Sequence, residues 1–172
     1  MLVNARCMNG RHRQPISTRR VAGFTLIEAM VVVALVSILV GIAAPGFRSF
    51  IGTMNSKSAA FDLIGDLTAA RSEAVKRNQN ATVVPVGGSW TNGWQVQSGG
   101  NTLRTRAALE PSLSVSGAPA AGVTFGPNGR LSADTVDTNL KWSISSTISG
   151  VTSRCVVVTP TGSARSSPGV CS

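Results

Sequence analysis

The sequence predicts an α+β fold, in which one long N-terminal helix is followed by a β-rich globular domain. Two observations predict it. An uncharged apolar run passes into helical periodicity that lasts to about residue 78, and from Ala81 onward short β-prone runs alternate with Gly, Ser, Asn and Pro turns. A length of 172 residues suits one domain in addition to the helix.

The apolar run from Ala29 to Phe47 contains nineteen residues without a formal charge. At about 1.5 Å per residue, a helix of this length spans roughly the 30 Å hydrocarbon core of a bilayer. Glu28 lies at its start, and a carboxylate at mid-bilayer costs about 2.5–3.5 kcal/mol, less near the interface. It therefore needs a cationic partner. If the chain is cut between Gly23 and Phe24, the new α-amino group of Phe24 in a neighbouring copy or homologue can supply that charge.

The hexapeptide at the start of this run carries a family resemblance. Gly23-Phe24-Thr25-Leu26-Ile27-Glu28, followed by an apolar helix and Pro45, resembles the class III signal of type IV pilins and type II secretion pseudopilins. The resemblance implies that a prepilin peptidase cleaves after Gly23 and methylates the amino group of Phe24. It also implies that Glu28 guides assembly by pairing with the N-terminus of another subunit. An ordinary signal-anchor helix explains the apolar run but not the hexapeptide.

Charge is unevenly distributed along the chain. The leader 1–23 carries five arginines and no acid, so the mature chain 24–172 has 11 basic and 7 acidic residues, a net charge of +4. Basic residues before an apolar segment hold that side in the cytoplasm. We therefore expect a single-pass protein of the bacterial inner membrane with its C-terminal domain in the periplasm. The leader is a targeting segment and not a nucleic-acid-binding arm.

Cysteine usage agrees with export. Cys7 lies in the leader, which leaves Cys155 and Cys171 in the mature chain. An even pair in an oxidising compartment most simply forms a disulfide, and closing a loop of about 16 residues stabilises a fold by roughly 3 kcal/mol. Two free thiols are the alternative, and a zinc site is less favoured because two cysteines do not complete a tetrahedral shell.

An amphipathic helix is predicted at residues 48–78, after a bend at Pro45. Its apolar residues recur at spacings of three and four, which favours packing onto a sheet over lying on a membrane surface. The residues of this predicted core stripe are Phe47, Phe50, Ile51, Met54, Phe61, Ile64, Leu67, Ala70 and Ala74. Asp62, Asp66 and Arg71 lie mostly off the stripe.

Residues 79–172 are predicted to form the β-rich domain, with a loose hairpin at Ser143–Ser153. The predicted strands are Ala81–Val86, Gly93–Gln97, Leu103–Ala107, Leu113–Ser116, Val123–Phe125, Leu140–Ser145 and Arg154–Thr159.

Three further segments resemble FimT/GspH-type minor pilins and pseudopilins. They are the helix end Ala70–Asn78, the Gly-Trp-Gln-Val of Gly93–Val96, and Val123–Arg130. The resemblance covers nearly the whole chain. It implies a type IV pilin-like fold, with a transmembrane and assembly helix at 24–47, an amphipathic half at 48–78, and two antiparallel sheets.

The inventory of catalytic groups is thin. The single histidine is His12, in the leader, and tyrosine is absent from the sequence, so the mature chain lacks the usual base for a Ser or Cys nucleophile. Asp134 and Asp137 could bind a cation, but a solvated turn is the favoured interpretation. We expect no enzyme activity, no cofactor and no metal, and interpret the chain as the substrate of a peptidase at Gly23.

The C-terminal segment Thr161–Gly169 is basic and rich in small residues, which predicts a flexible exposed loop suited to phosphate contacts. FimT-like minor pilins of naturally competent bacteria bind DNA through a C-terminal Gly-Arg-x-Arg motif. Gly162-Ser163-Ala164-Arg165 matches its glycine and final arginine but has Ser163 in place of the first arginine. The candidate DNA-binding residues are Arg165, Arg154, Lys141 and Arg130. A solvated loop without a ligand is the alternative.

These observations leave related functions open. The first is a FimT-like minor pilin of a type IV pilus, a structural and assembly subunit, either without a DNA contact or with non-specific binding of double-stranded DNA for uptake in natural transformation. The alternative is a GspH-like minor pseudopilin of type II secretion without DNA binding. Both imply the same other partners: pilins or pseudopilins along the N-terminal helix, the inner membrane, and a prepilin peptidase.

Overall fold

The computed structural model describes residues 23–132 and 139–172. The predicted leader, apart from Gly23, and the Asp134–Asp137 turn lie outside the described residues. Helix α1, Leu26–Arg77, is 52 residues long and continues through Pro45. Thr25 caps it, because its Oγ1 accepts a hydrogen bond from the backbone N–H of Glu28 at 3.2 Å. The chain divides into two compact units, one ending at Gly41 and the other comprising Ile42–Ser172.

Eight strands follow the helix within the described residues, with short 3-10 turns at Val86–Gly88 and Trp90–Asn92. The strands are β1 Ala81–Pro85, β2 Trp94–Ser98, β3 Asn101–Arg106, β4 Leu113–Ser116, β5 Val123–Phe125, β6 Leu140–Ser146, β7 Arg154–Val158 and β8 Ala164–Pro168. They form two four-stranded sheets, in the orders β3-β2-β1-β5 and β4-β6-β7-β8. Every pairing is antiparallel. The predicted α+β fold with two antiparallel sheets is therefore confirmed, and the seven predicted strands are β1 to β7.

The prediction of a flexible loop at Thr161–Gly169 is wrong. This segment contains β8, which pairs with β7 from Arg154↔Pro168 to Val158↔Ala164. Its small polar residues give little strand signal of their own, so the pairing comes from the neighbouring strand and from the turn at Gly162. Pro168 ends β8 at the open edge of the sheet, the position where proline is tolerated in strands.

The predicted core stripe of the helix is also largely wrong. Leu67, Ala70 and Ala74 are buried as predicted, and Ile64 is half-buried. Its five large members before Ile64 are exposed, at 42% to 67% of their side-chain surface: Phe47, Phe50, Ile51, Met54 and Phe61.

Mostly small residues form the face of α1 that packs in the core. They recur every three or four positions: Gly52, Ser56, Ala59, Ala60, Leu63, Leu67, Ala70 and Ala74. Small side chains let the sheets approach the helix closely, and bulk comes from the domain instead. Trp142 stacks edge-on against Trp90, with ring centroids 5.4 Å apart, and Trp94 lies 6.2 Å from Trp90.

Candidate functional site

The N-terminal part of α1 is an exposed apolar rod. The segment Leu26–Ala44 is long and apolar enough to cross a membrane, and none of it is buried in the protein. Phe24 is exposed just before the helix, and the exposed Glu28 lies in the first turn. Within residues 23–132 and 139–172, Glu28 forms no salt bridge. Its carboxylate is thus available to a cation from another molecule.

A second apolar surface lies on the part of α1 that belongs to the globular unit. We call Phe47, Phe50, Ile51, Met54 and Phe61 the outer stripe. At 100° per residue they fall within an arc of about 100°, opposite the small-residue face. Monomeric proteins rarely leave such a patch uncovered, so this surface is typical of a contact with another molecule.

The C-terminal residues are fixed across the second sheet. Cys155 and Cys171 form a disulfide with their Cα atoms 5.0 Å apart, which confirms the predicted pairing. The backbone N–H of Cys171 donates to Ser143 Oγ at 2.9 Å. The Lys141 ammonium donates to the carbonyl oxygen of Ser172. Lys141 is therefore already engaged within the chain.

The sheet register separates the four candidate DNA-binding residues. Lys141 and Arg165 both lie opposite Val157, so their side chains share the outer face of the sheet. Arg154 lies opposite the buried Ile144, on the inner face, and its Nε is buried. Arg154 and Arg165 thus lie on opposite faces of the sheet.

Arg130 lies close to the β7–β8 turn, and Arg165 comes directly after this turn in the sequence. The backbone N–H of Leu131 donates to the carbonyl of Pro160 at 3.0 Å. On the other side of Arg130, Gly129 abuts Gly162, whose φ of +81° and lack of a side chain permit the close approach. Sequence order alone could not place these two turns side by side.

Arg71 joins the same group, although its position in the sequence indicated only that it lies off the predicted helix stripe. Its Nη1 donates to the carbonyl of Gly162 at 3.3 Å, which ties the helix to the β7–β8 turn. We call Arg71, Arg130 and Arg165 the basic turn. Arg130 and Arg165 are exposed, and Arg71 is half-buried. The sequence holds one indication that Arg71 is not a free surface residue, because it lies one helical turn from both Leu67 and Ala74. That spacing does not identify the group that Arg71 contacts.

The helix also carries a buried carboxylate, Asp66, that the sequence pattern did not identify. Asp66 is 3% exposed, and its Oδ2 accepts a hydrogen bond from Trp94 Nε1 at 3.0 Å. Arg104 approaches Oδ1 at 3.3 Å and Arg106 approaches Oδ2 at 3.3 Å, so the edge strand β3 is fastened to the helix. Two of the domain's arginines are thus committed to an internal ion pair. Among the residues that the structure describes, His, Cys, Asp and Glu form no group able to hold a metal ion.

Comparison with known proteins agrees with this architecture. The sequence profile of an N-terminal methylation motif of prokaryotes matches residues 18–44. Among solved structures, the type IV minor pilin FimU of Pseudomonas aeruginosa is 23% identical, with a TM-score of 0.55 over 66% of this chain and 88% of FimU. The minor pseudopilin EpsH of the type 2 secretion system of Vibrio cholerae is 19% identical, with a TM-score of 0.50 over 66% and 97%. These two likenesses establish the fold.

The search of curated proteins finds no significant match. The profile of the family described as "Type II transport protein GspH" matches residues 59–162, which is more than half of the chain. The chain therefore belongs to the GspH family and is a minor pilin or pseudopilin, of a type IV pilus or a type II secretion system.

Proposed function

We propose that this chain is a membrane-anchored minor subunit of a type IV pilus, drawn from the membrane into a fibre by contacts along α1. The observation that carries the proposal is the exposed apolar surface of the helix: the wholly exposed Leu26–Ala44 and, in the globular unit, the outer stripe. Covering an exposed Phe or Ile on assembly yields roughly 25 cal/mol per Å² of apolar area removed from water. The occupants we propose are the helices of other pilin-type subunits.

Charge sets the order of events in this proposal. The basic leader holds the N-terminus in the cytoplasm, and a prepilin peptidase cuts between Gly23 and Phe24 and methylates Phe24. The freed amine of one subunit then pairs with the Glu28 carboxylate of its neighbour. Because both charges lie in or near lipid, where water screens them poorly, the pair fixes the axial register between adjacent helices.

Processing and assembly can be tested separately. Gly23→Leu should leave an uncleaved precursor, seen as a larger band on an immunoblot. Glu28→Gln keeps the shape of the side chain but removes its charge, so the protein should be cleaved and inserted normally yet enter sheared fibres poorly. Ser37→Ala is the matched control, because it alters a polar group within the same apolar segment without changing charge. Normal incorporation of Glu28→Gln would refute the pairing.

Non-specific binding of double-stranded DNA is the second function that we propose, at the basic turn. Arg130 and Arg165 are exposed, each within three residues of the contact between Gly129 and Gly162, and the segment 159–169 contains no acid. With two or three phosphate contacts, binding should be weak, with a log–log salt slope of about −2 to −3. We expect so few phosphate contacts because Ser163 stands in place of the motif arginine and because Lys141 already donates to the carbonyl of Ser172.

The DNA test is a gel shift with purified chain in detergent, at low and high salt. Arg165→Ala should reduce the shift and lower the salt slope by about 1. Arg154→Ala, on the inner face of the sheet, is the control and should leave both unchanged. If the unaltered chain does not retard DNA at low salt, the DNA-binding proposal fails and the pseudopilin alternative gains support. Deletion of the gene then decides between the systems, by loss of pili or loss of protein secretion.

A further inference from the structure

A groove lies between α1 and the segment that connects β3 to β4. It has a volume of about 230 Å³. The helix contributes Asn55, Ser58 and Asp62 to one wall, and the connecting segment contributes Ala107–Glu110 to the other. Both walls belong to the globular unit.

The floor of the groove is apolar, and its outer wall is held in place by backbone hydrogen bonds. Ala59 and Leu113 line the groove and are both buried. The backbone N–H of Leu109 donates to the carbonyl of Thr91 at 2.9 Å, and that of Leu113 donates to the carbonyl of Glu110 at 2.8 Å. The groove is therefore formed before any partner arrives.

Negative charge exceeds positive charge around the groove. Arg104 and Arg106 both approach the buried Asp66, and Arg106 also lies 3.5 Å from Asp62. Glu110 is exposed and forms no salt bridge with any residue that the structure describes. Three carboxylates and two guanidinium groups thus lie at or beside the groove, which leaves a net charge of −1.

The groove borders the outer stripe. At 100° per residue, Asn55, Ser58 and Asp62 lie within about 40° of the edge of the stripe at Ile51. A helix of another subunit that covers the outer stripe therefore passes beside the groove. Lysine and arginine suit such a place, because they pack an aliphatic stem on apolar surface while the charged head stays with polar groups.

We propose that the groove receives a lysine or arginine side chain of the neighbouring subunit that covers the outer stripe. The stem packs on the apolar floor, and the charged head reaches Asp62 and Glu110. This inference rests on the proposed assembly through α1, and it names the chemistry that the partner needs beside the helix contact. A subunit with an acidic side chain at this place is repelled, so the groove discriminates between possible neighbours.

Photo-crosslinking in cells that produce fibres tests the inference. A photoreactive phenylalanine analogue replaces Ala108, an exposed residue of the groove. In a second strain the same analogue replaces Phe50, which reports on the outer stripe itself. We expect adducts from residue 108 to another subunit, and mass spectrometry should place the attached residue within one helical turn of a lysine or arginine.

Charge variants of the chain labelled at residue 108 test the recognition. Glu110→Gln should lower the adduct yield by about two- to fivefold, the range expected for loss of a partly exposed ion pair. Glu73→Gln is the matched control, because it removes the same charge from α1 outside the groove, where Glu73 pairs with Arg77. It should leave the yield unchanged.

The outcomes separate the groove contact from the assembly contact. Adducts at segments without lysine or arginine, a yield that Glu110→Gln does not lower, or an equal loss with Glu73→Gln would overturn the inference. If residue 50 gives adducts with another subunit and residue 108 gives none, only the groove contact fails. If neither position gives adducts in fibres that contain the chain, the proposed contact through the outer stripe fails and the inference falls with it.

Discussion

Two faces of α1 in the globular unit differ in side-chain size, and the larger apolar side chains lie on the exposed face instead of the buried one. The face that packs in the core is made mostly of Gly, Ser and Ala, with Leu63 and Leu67 as its only large apolar side chains. The opposite face carries three phenylalanines, one isoleucine and one methionine, all exposed. Large apolar residues are normally the buried ones. Their exposure here indicates a surface that becomes covered only in a larger assembly.

This contrast teaches that one helix can carry two kinds of contact that differ in side-chain size. The intramolecular contact is close, so the space is filled by Trp94, Phe125 and Trp142 of the sheets together with Trp90 of a 3-10 turn, and the helix contributes little volume. The intermolecular contact needs protruding side chains that enter gaps between neighbouring helices. A variant on one face should therefore affect folding, and a variant on the other should affect assembly.

The largest expected effect comes from truncating the buried face. Leu63→Ala should lower the free energy of unfolding by about 2–5 kcal/mol, because it leaves a cavity in a packed core. Phe61→Ala, two residues away on the outer stripe, should change it by less than about 0.5 kcal/mol. Urea unfolding of residues 42–172, followed by tryptophan fluorescence, measures both. A large loss for Phe61→Ala would mean that the outer stripe supports the fold itself.

A smaller effect is expected from the buried carboxylate. Asp66→Ala should cost about 2 kcal/mol, because it leaves Trp94 Nε1 without its acceptor and frees two arginines. Asp62→Ala is the matched control. Asp62 is also near Arg106, at 3.5 Å, but it is 41% exposed, so its loss should cost about 0–1 kcal/mol. The same unfolding assay applies, and equal losses would show that burial does not strengthen the Asp66 interactions.

The smallest effect compares two glycines of α1. A Cβ at Gly65 would meet no atom within 4 Å, so Gly65→Ala should raise the free energy of unfolding by about 1 kcal/mol through helix propensity. Gly52→Ala should not give this gain, because the new Cβ would push against Val151 in the β6–β7 loop. Parallel urea titrations would reveal the difference, and the same gain at both positions would contradict the close loop contact.

Local patterns were sufficient for most of the fold. Strands β1 to β7 were predictable because β-prone runs and turn residues alternate clearly, and the disulfide followed from the even pair of cysteines after the predicted leader. The α1 core face was not predictable in this way. Periodicity reports which residues share a face of a helix, but two faces here are periodic, and only the sheets decide which one is buried.

The rest of the candidate site depends on contacts between distant segments. Strand β8 exists because β7 offers a pairing edge, and Arg71 reaches Gly162 across 91 positions of sequence. Asp66 looked like a surface acid because nothing in its own helix indicates Trp94, Arg104 and Arg106. The likeness of Gly162–Arg165 to a binding motif gave no indication that Arg71 of the helix contacts the carbonyl of Gly162.

The central claim is that the outer stripe contacts other subunits. Photo-crosslinking tests it most directly, with a photoreactive phenylalanine analogue at residue 50 and, as the control for chance encounters, at the exposed Thr102 on the edge strand β3. In cells that produce fibres, we predict adducts between residue 50 and the α1 helix of another pilin-type subunit, identified by mass spectrometry, and far fewer from residue 102. Fibres that contain the labelled chain but give no adduct at residue 50 would contradict the account.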